Sequence, residues 1–160
     1  MRWARQRTDS LLPPRCQESA PTMAAPSTLH HWPTMETVRH AIDWFEIPVQ
    51  DIDRAQSFYE ALLAAPMRRE TIAGQTLAVF DHAETGVGGC LIAGPNAPRP
   101  AEAGTLVYLN PGCAIEVALA RAERAGGRVA TPKVKLPGDM GCYAHVADSE
   151  GNRVGLHAAD

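Results

Sequence analysis

The sequence predicts an α+β fold in which two βαβββ modules stand in tandem, their sheets joined into one cup-shaped mixed sheet with the helices outside. Three observations lead to it. The order strand, helix, three strands occurs twice between residues 38 and 158. The chain has 160 residues, room for one domain of ordinary size. Its Gly 13 and Pro 13 suit short strands and turns better than a helical bundle. One module alone would leave a sheet face bare; two together enclose a concavity, the natural place for a small ligand.

The elements follow in order. In the segment 40–49 Phe45, Ile47 and Val49 alternate with Trp44, Glu46 and Pro48, which predicts a strand. Asp51 caps a helix whose Ile52, Ala55, Phe58, Tyr59, Leu62 and Leu63 fall at i, i+3 and i+4 spacings, and Pro66 closes it. Strands are expected near 67–72, 75–81 and 86–93, and the Pro- and Ala-rich 94–103 reads as a connector. The second module opens with the strand GTLVYLN at 104–110. Ile115, Ala118, Leu119 and Ala122 make the next helical stripe, stopped by Gly126 and Gly127. Strands near 128–135, 141–147 and 153–157 complete it, the last two joined by the turn DSEGN.

The first 34 residues differ in kind. They carry four arginines against Asp9 and Glu18, a net +2, whereas the remainder carries −5; the whole chain stands at −3. Pro13, Pro14, Pro21, Pro26 and Pro33 interrupt them without any apolar period, so 1–34 is expected to be a disordered or artefactual extension and 35–160 the folded domain. Leu11-Leu12 before two prolines is not the apolar stretch of a secretory signal. No run approaches the length of a membrane span, and the acidic balance offers no field for a phosphate backbone. Membrane and nucleic acid are therefore not expected partners. Cys16, Cys90, Cys113 and Cys142 have neither zinc-site spacing nor disulfide density, which points to reduced thiols and a cytoplasmic protein.

The stretch WFEIPVQDIDRAQSFYEALL, with GTLVYLN, AERAGGRV and DSEGNRVGLH in that order, resembles the vicinal oxygen chelate superfamily of glyoxalase I, bleomycin-resistance proteins and extradiol dioxygenases. The resemblance covers 38–158 and rests most on D-x-D-R-A-x-x-F-Y-E and D-x-x-G-N-x-V. It implies the same paired-module fold, a small-molecule partner and a homodimer. It also implies a divalent ion for those members that do chemistry, with a His or Gln on the first strand, a counterpart on the second module's first strand and a glutamate on the last strand.

Carried onto this chain, those positions fall on Trp44, Thr105 and Gly155: an indole, a hydroxyl and a hydrogen. No metal and no cofactor are expected on this ligand chemistry. The expected pocket instead comprises Trp44, Glu46, Thr105, Val107, Arg153 and His157. Trp44 offers a stacking wall. Glu46, on the same face as Trp44 and Pro48, is the candidate catalytic base; its alternative is a structural carboxylate paired with Arg39, Arg153 or a backbone amide. His157 shares a face with Gly155 and Arg153, and His145 with Tyr143, where core packing or an edge position is the expectation. Three functions fit: a metal-independent lyase- or isomerase-like enzyme using Glu46, a binding protein that sequesters an antibiotic or metabolite, and a metal lyase or dioxygenase with ligands displaced onto Glu46, His145 and His157.

Overall fold

A computed structural model of the chain describes residues 41–159; the expected extension 1–34, with Met35, Arg39 and His40, lies outside them. The elements run β1 (Trp44–Pro48), α1 (Ile52–Leu63), β2 (Met67–Ile72), β3 (Gln75–Phe80), β4 (Gly88–Ala93), β5 (Tyr108–Leu109), α2 (Ile115–Arg124), β6 (Arg128–Lys135), β7 (Cys142–Ala147) and β8 (Arg153–Ala158). This is βαβββ twice. Each module builds a four-stranded mixed sheet, ordered β1-β4-β3-β2 and β5-β8-β7-β6, with its first strand at the edge and parallel to its fourth.

One face of each sheet meets the helices. Ala55, Phe58, Tyr59 and Leu62 of α1 and Ile115, Ala118 and Ala122 of α2 share one buried cluster with Ile47, Leu91, Ala144, Val146, Val154 and Leu156. Because side chains alternate along a strand, the residues between these point away from the helices. On the first sheet the helix-free face therefore carries Trp44, Glu46 and Pro48; on the second it carries Tyr108, His145, Arg153, Gly155 and His157. Leu77, Val79, Cys90 and Ile92 form a second buried cluster on the first sheet's helix-free face, with connector residue Ala97 packed against it.

β5 is shorter than the segment 104–110 predicts. Only Tyr108 and Leu109 pair with β8, and the ladder is extended by a single bond from the Gly155 amide to the Val107 carbonyl, 2.9 Å. Gly104, at φ 130°, and Thr105 lie before the strand, on the seam between the modules.

The two motifs that carry the family resemblance clasp one another. Asp148, 5% exposed, accepts from the Tyr59 hydroxyl at 2.7 Å, the Asn152 amide side chain at 2.9 Å, and the backbone N–H groups of Glu150 and Asn152 at 2.9 and 2.8 Å. Asn152 Nδ2 also donates to the Pro48 carbonyl on β1 at 2.9 Å, and its Oδ1 accepts from the Ala101 amide of the connector at 3.0 Å. Glu150 reaches the start of α1, where its carboxylate accepts from the Gln50 and Asp51 amides at 2.9 and 3.0 Å and from Arg54 Nε at 2.7 Å. Asp51 caps the same helix end through the Asp53 and Arg54 amides. A carboxylate at a helix N-terminus also meets the positive end of the helix dipole.

Burial alone raises the Glu150 carboxyl, yet the Arg54 hydrogen bond, the two backbone amides and the Arg54 charge outweigh it and leave it below its ordinary value of 4.5. Folded Glu150 thus binds its proton less readily than unfolded Glu150, so its contribution is complete above that value and falls as pH drops through the folded one. A Glu150→Gln variant is expected to lose about 1–2 kcal/mol near neutrality through its weakened charge-assisted bonds. It is also expected to show a shallower decline of stability in acid, measured by urea unfolding from pH 7 to 3; an unchanged acid slope contradicts the assignment.

Candidate functional site

The helix-free faces each carry an aromatic ring laid over a glycine. Trp44 pairs with Gly88 across β1 and β4, and Tyr108 pairs with Gly155 across β5 and β8. A Cβ at Gly88 would stand 2.5 Å from the Trp44 ring, and one at Gly155 2.4 Å from the Tyr108 ring. Only glycine lets the rings lie this close to the backbone. Both rings stay open to solvent on the other side: Trp44 is 44% and Tyr108 48% exposed. The two cradles occupy corresponding places in the two modules, each pairing a first strand with a fourth.

This register corrects one expectation. The counterpart of Trp44 in the second module is Tyr108, not Thr105, because residues 104–107 precede the paired strand. The residues at the cradles therefore offer an indole, a phenol and two glycines. That donor set does not fit a divalent ion, and among the described residues no group of three His, Cys, Asp or Glu stands close enough to hold one. The displaced set of Glu46, His145 and His157 is not brought together either.

Four of the six expected pocket residues do meet. Glu46, Thr105, Val107 and Arg153 line a cleft of ≈ 240 Å³ on the seam, with Arg99 and Asn152. Trp44 stands outside it. His157 is also outside, exposed toward the far end of β8 from Arg153, with its Nε2 2.8 Å from the Met140 carbonyl. Glu46 is exposed, so apolar walls do not surround its carboxylate as the candidate base requires. Its alternative partner Arg153 is turned elsewhere, toward Thr131 and His145. Across the strand pair from Glu46, Cys90 is pushed up to about 11 by burial and by the Glu46 charge, against a Trp44 hydrogen bond that lowers it. That thiol is a packing group rather than a nucleophile.

The second sheet holds a polar chain that the sequence did not disclose. His145, 8% exposed, places its Nε2 2.9 Å from the Tyr108 hydroxyl. Its Nδ1 lies 2.9 Å from Thr131 Oγ1 and 2.9 Å from an Arg153 guanidinium nitrogen, which is itself 3.3 Å from Thr131. Tyr143 packs beside both rings, with centroids 6.1 Å from Tyr108 and 5.2 Å from His145. Burial and then the Arg153 charge lower the His145 pKa from 6.5, which keeps the imidazole neutral at pH 7. His145 is packed against the Tyr108 and Tyr143 rings on an inner strand, and it also bridges Tyr108 to Arg153 and Thr131. Tyr108 also rims a larger, mainly apolar cleft of ≈ 570 Å³ with Phe45, Phe80, Val87 and Val107.

Comparison with known proteins follows this geometry. A family model described as the Glyoxalase/Bleomycin resistance protein/Dioxygenase superfamily matches residues 41–156. Among solved structures, the antibiotic binding protein TnmS3 from Streptomyces sp. CB03234 is 19% identical at a TM-score of 0.57, with 79% of this chain and 100% of that chain covered. A glyoxalase/bleomycin resistance protein from the same organism is 20% identical at 0.55, over 74% of this chain and 100% of its own. A point mutant of glyoxalase I from Zea mays is 20% identical at 0.51, over 71% of this chain and 44% of that longer one. At such identities these structures share the fold. Comparison with curated proteins finds no match.

Proposed function

The chain belongs to the Glyoxalase/Bleomycin resistance protein/Dioxygenase superfamily, and from that premise we propose that it binds a small aromatic molecule, an antibiotic or a metabolite, without a metal ion. The observation that carries this reading is the pair of half-exposed rings, Trp44 and Tyr108, each laid over a glycine on a helix-free sheet face. Exposed rings held flat by their own backbone are ready stacking surfaces, and little side-chain entropy is left to lose when a ligand covers them. Glu46 and Arg99 at the adjoining cleft supply charge for orienting polar substituents. The free thiols of Cys90, Cys113 and Cys142 support a reducing compartment such as the cytoplasm.

The test is a thermal-shift screen of aromatic antibiotics and metabolites, followed by calorimetry on the hits, with wild type and Trp44→Ala. A ligand that binds only the folded state raises the midpoint. Removal of the indole is expected to weaken binding by about 2 kcal/mol, roughly thirtyfold; hits whose affinity is indifferent to Trp44→Ala contradict the reading. Glu46→Gln separates binding from proton transfer: a binding protein keeps most of its affinity, whereas an enzyme using Glu46 as base loses turnover.

A further inference from the structure

The chain Arg153–His145–Tyr108 has a direction. An arginine has only donors, so the guanidinium nitrogen 2.9 Å from His145 Nδ1 requires that nitrogen to accept. A neutral imidazole carries one proton, which then sits on Nε2 and is donated to the Tyr108 oxygen 2.9 Å away. The opposite tautomer would set an Nδ1–H against the guanidinium N–H groups. Thr131 Oγ1 is free to donate to Nδ1 while accepting from Arg153. With its oxygen accepting from His145, the Tyr108 hydroxyl keeps its own proton for a third partner. The ring is 48% exposed, so that partner comes from the open face.

We infer that Arg153 and Thr131 fix His145 in its Nε2–H form and thereby make the Tyr108 hydroxyl a hydrogen-bond donor to the ligand. The site then selects aromatic molecules that present an acceptor oxygen, a ring ketone or a quinone carbonyl, over shape-matched molecules that present a donor or neither. Arg153, Thr131 and His145 are positioning residues; of this chain, Tyr108 is the member that touches the ligand. The inference rests on the proposed binding of an aromatic molecule, but the placement of the proton does not.

Three tricyclic probes of nearly the same shape separate the possibilities: 9-fluorenone with an acceptor, fluorene with neither group, and carbazole with a donor. Calorimetry on wild type is expected to show fluorenone binding about tenfold more tightly than the other two, the worth of one well-placed hydrogen bond. Tyr108→Phe, which keeps the ring, is expected to abolish that preference while leaving fluorene affinity within about twofold. Long-range proton–nitrogen correlation on histidine-labelled protein without ligand, with His145 assigned by loss of its signal in His145→Gln, reads the tautomer directly. The expected spectrum has Nε2 protonated and Nδ1 bare, and in Arg153→Met a measurable Nδ1–H population. An Nδ1-protonated His145 in wild type overturns the inference. Equal affinity for fluorenone and fluorene overturns the ligand preference while leaving the binding reading standing. Failure of all three probes to bind overturns that reading and the preference together, while the spectrum still decides where the proton sits.

Discussion

Asp148→Ala is expected to lower folding stability by about 3–4 kcal/mol, measured by urea unfolding at pH 7. Four donors converge on this buried carboxylate, and alanine would leave the Tyr59 hydroxyl, one Asn152 side-chain N–H and two backbone amides without that acceptor. Buried donors without acceptors cost about 1–3 kcal/mol each before relaxation and water entry reduce the total. Tyr59 is fully buried, and burial, followed by the Asp148 charge and hydrogen bond, pushes its hydroxyl well above 10.0, so it remains a donor at every working pH. Tyr59→Phe removes one of the four donors and is expected to cost less, about 1–2 kcal/mol. In the double variant the losses should fall short of their sum, since both changes delete the same bond. An Asp148→Ala protein within about 1 kcal/mol of wild type, well below the ~3 expected of stranded buried donors, contradicts the clasp.

Gly127→Ala is expected to cost about 2–4 kcal/mol by the same measurement. A Cβ there would stand 2.6 Å from the buried Phe58 ring and 2.8 Å from the Ala147 carbonyl oxygen. Phe58 is 1% exposed in the shared core of both helices, so it has no space into which to retreat, and backbone at Ala147 is held in the β6–β7 ladder. The neighbouring Gly126 differs: its φ of 93° favours glycine, but nothing lies within 4 Å of an added Cβ. Gly126→Ala is therefore limited to backbone strain of about 1–2 kcal/mol. If the two variants prove equal, close packing is not what requires glycine at 127.

These two glycines show what a sequence discloses and what it hides. Both signal the end of α2, and α2 does end at Arg124; that one stops the helix and the other admits a phenyl ring depends on a residue of the first module. The clasp is alike. D-x-D-R-A-x-x-F-Y-E and D-x-x-G-N-x-V are legible as two motifs, and their order establishes the paired-module fold. That Asp148 faces Tyr59 and Glu150 faces Asp51 is a tertiary fact, spanning 89 and 99 residues. Helical spacing finds Ala55, Phe58, Tyr59 and Leu62 because burial against a sheet imposes that period.

Alternation succeeds on the long strands and fails on the shortest. Glu46 and the trio Arg153, Gly155 and His157 lie on the faces that parity assigns them. β5 has two paired residues, too few to show any alternation, and reckoning from Gly104 places the site at Thr105 in place of Tyr108. The available signal is the glycine opposite each ring, Gly88 for Trp44 and Gly155 for Tyr108. A glycine on a fourth strand marks where a large side chain from the first strand lies across it. His145 is hidden for another reason: its importance lies in Arg153, Thr131 and Tyr108, which come from three other strands.

The central claim is that the aromatic cradles bind a ligand without a metal ion. The most direct measurement repeats the thermal-shift screen on one protein preparation in excess chelator and again with added zinc, nickel or iron(II), with calorimetry on every hit. The account predicts aromatic ligands whose affinity is the same in chelator and in metal, and is weakened roughly thirtyfold in Trp44→Ala. Ligands that bind only when a divalent ion is supplied, or an ion that itself binds stoichiometrically and survives Trp44→Ala, would contradict it.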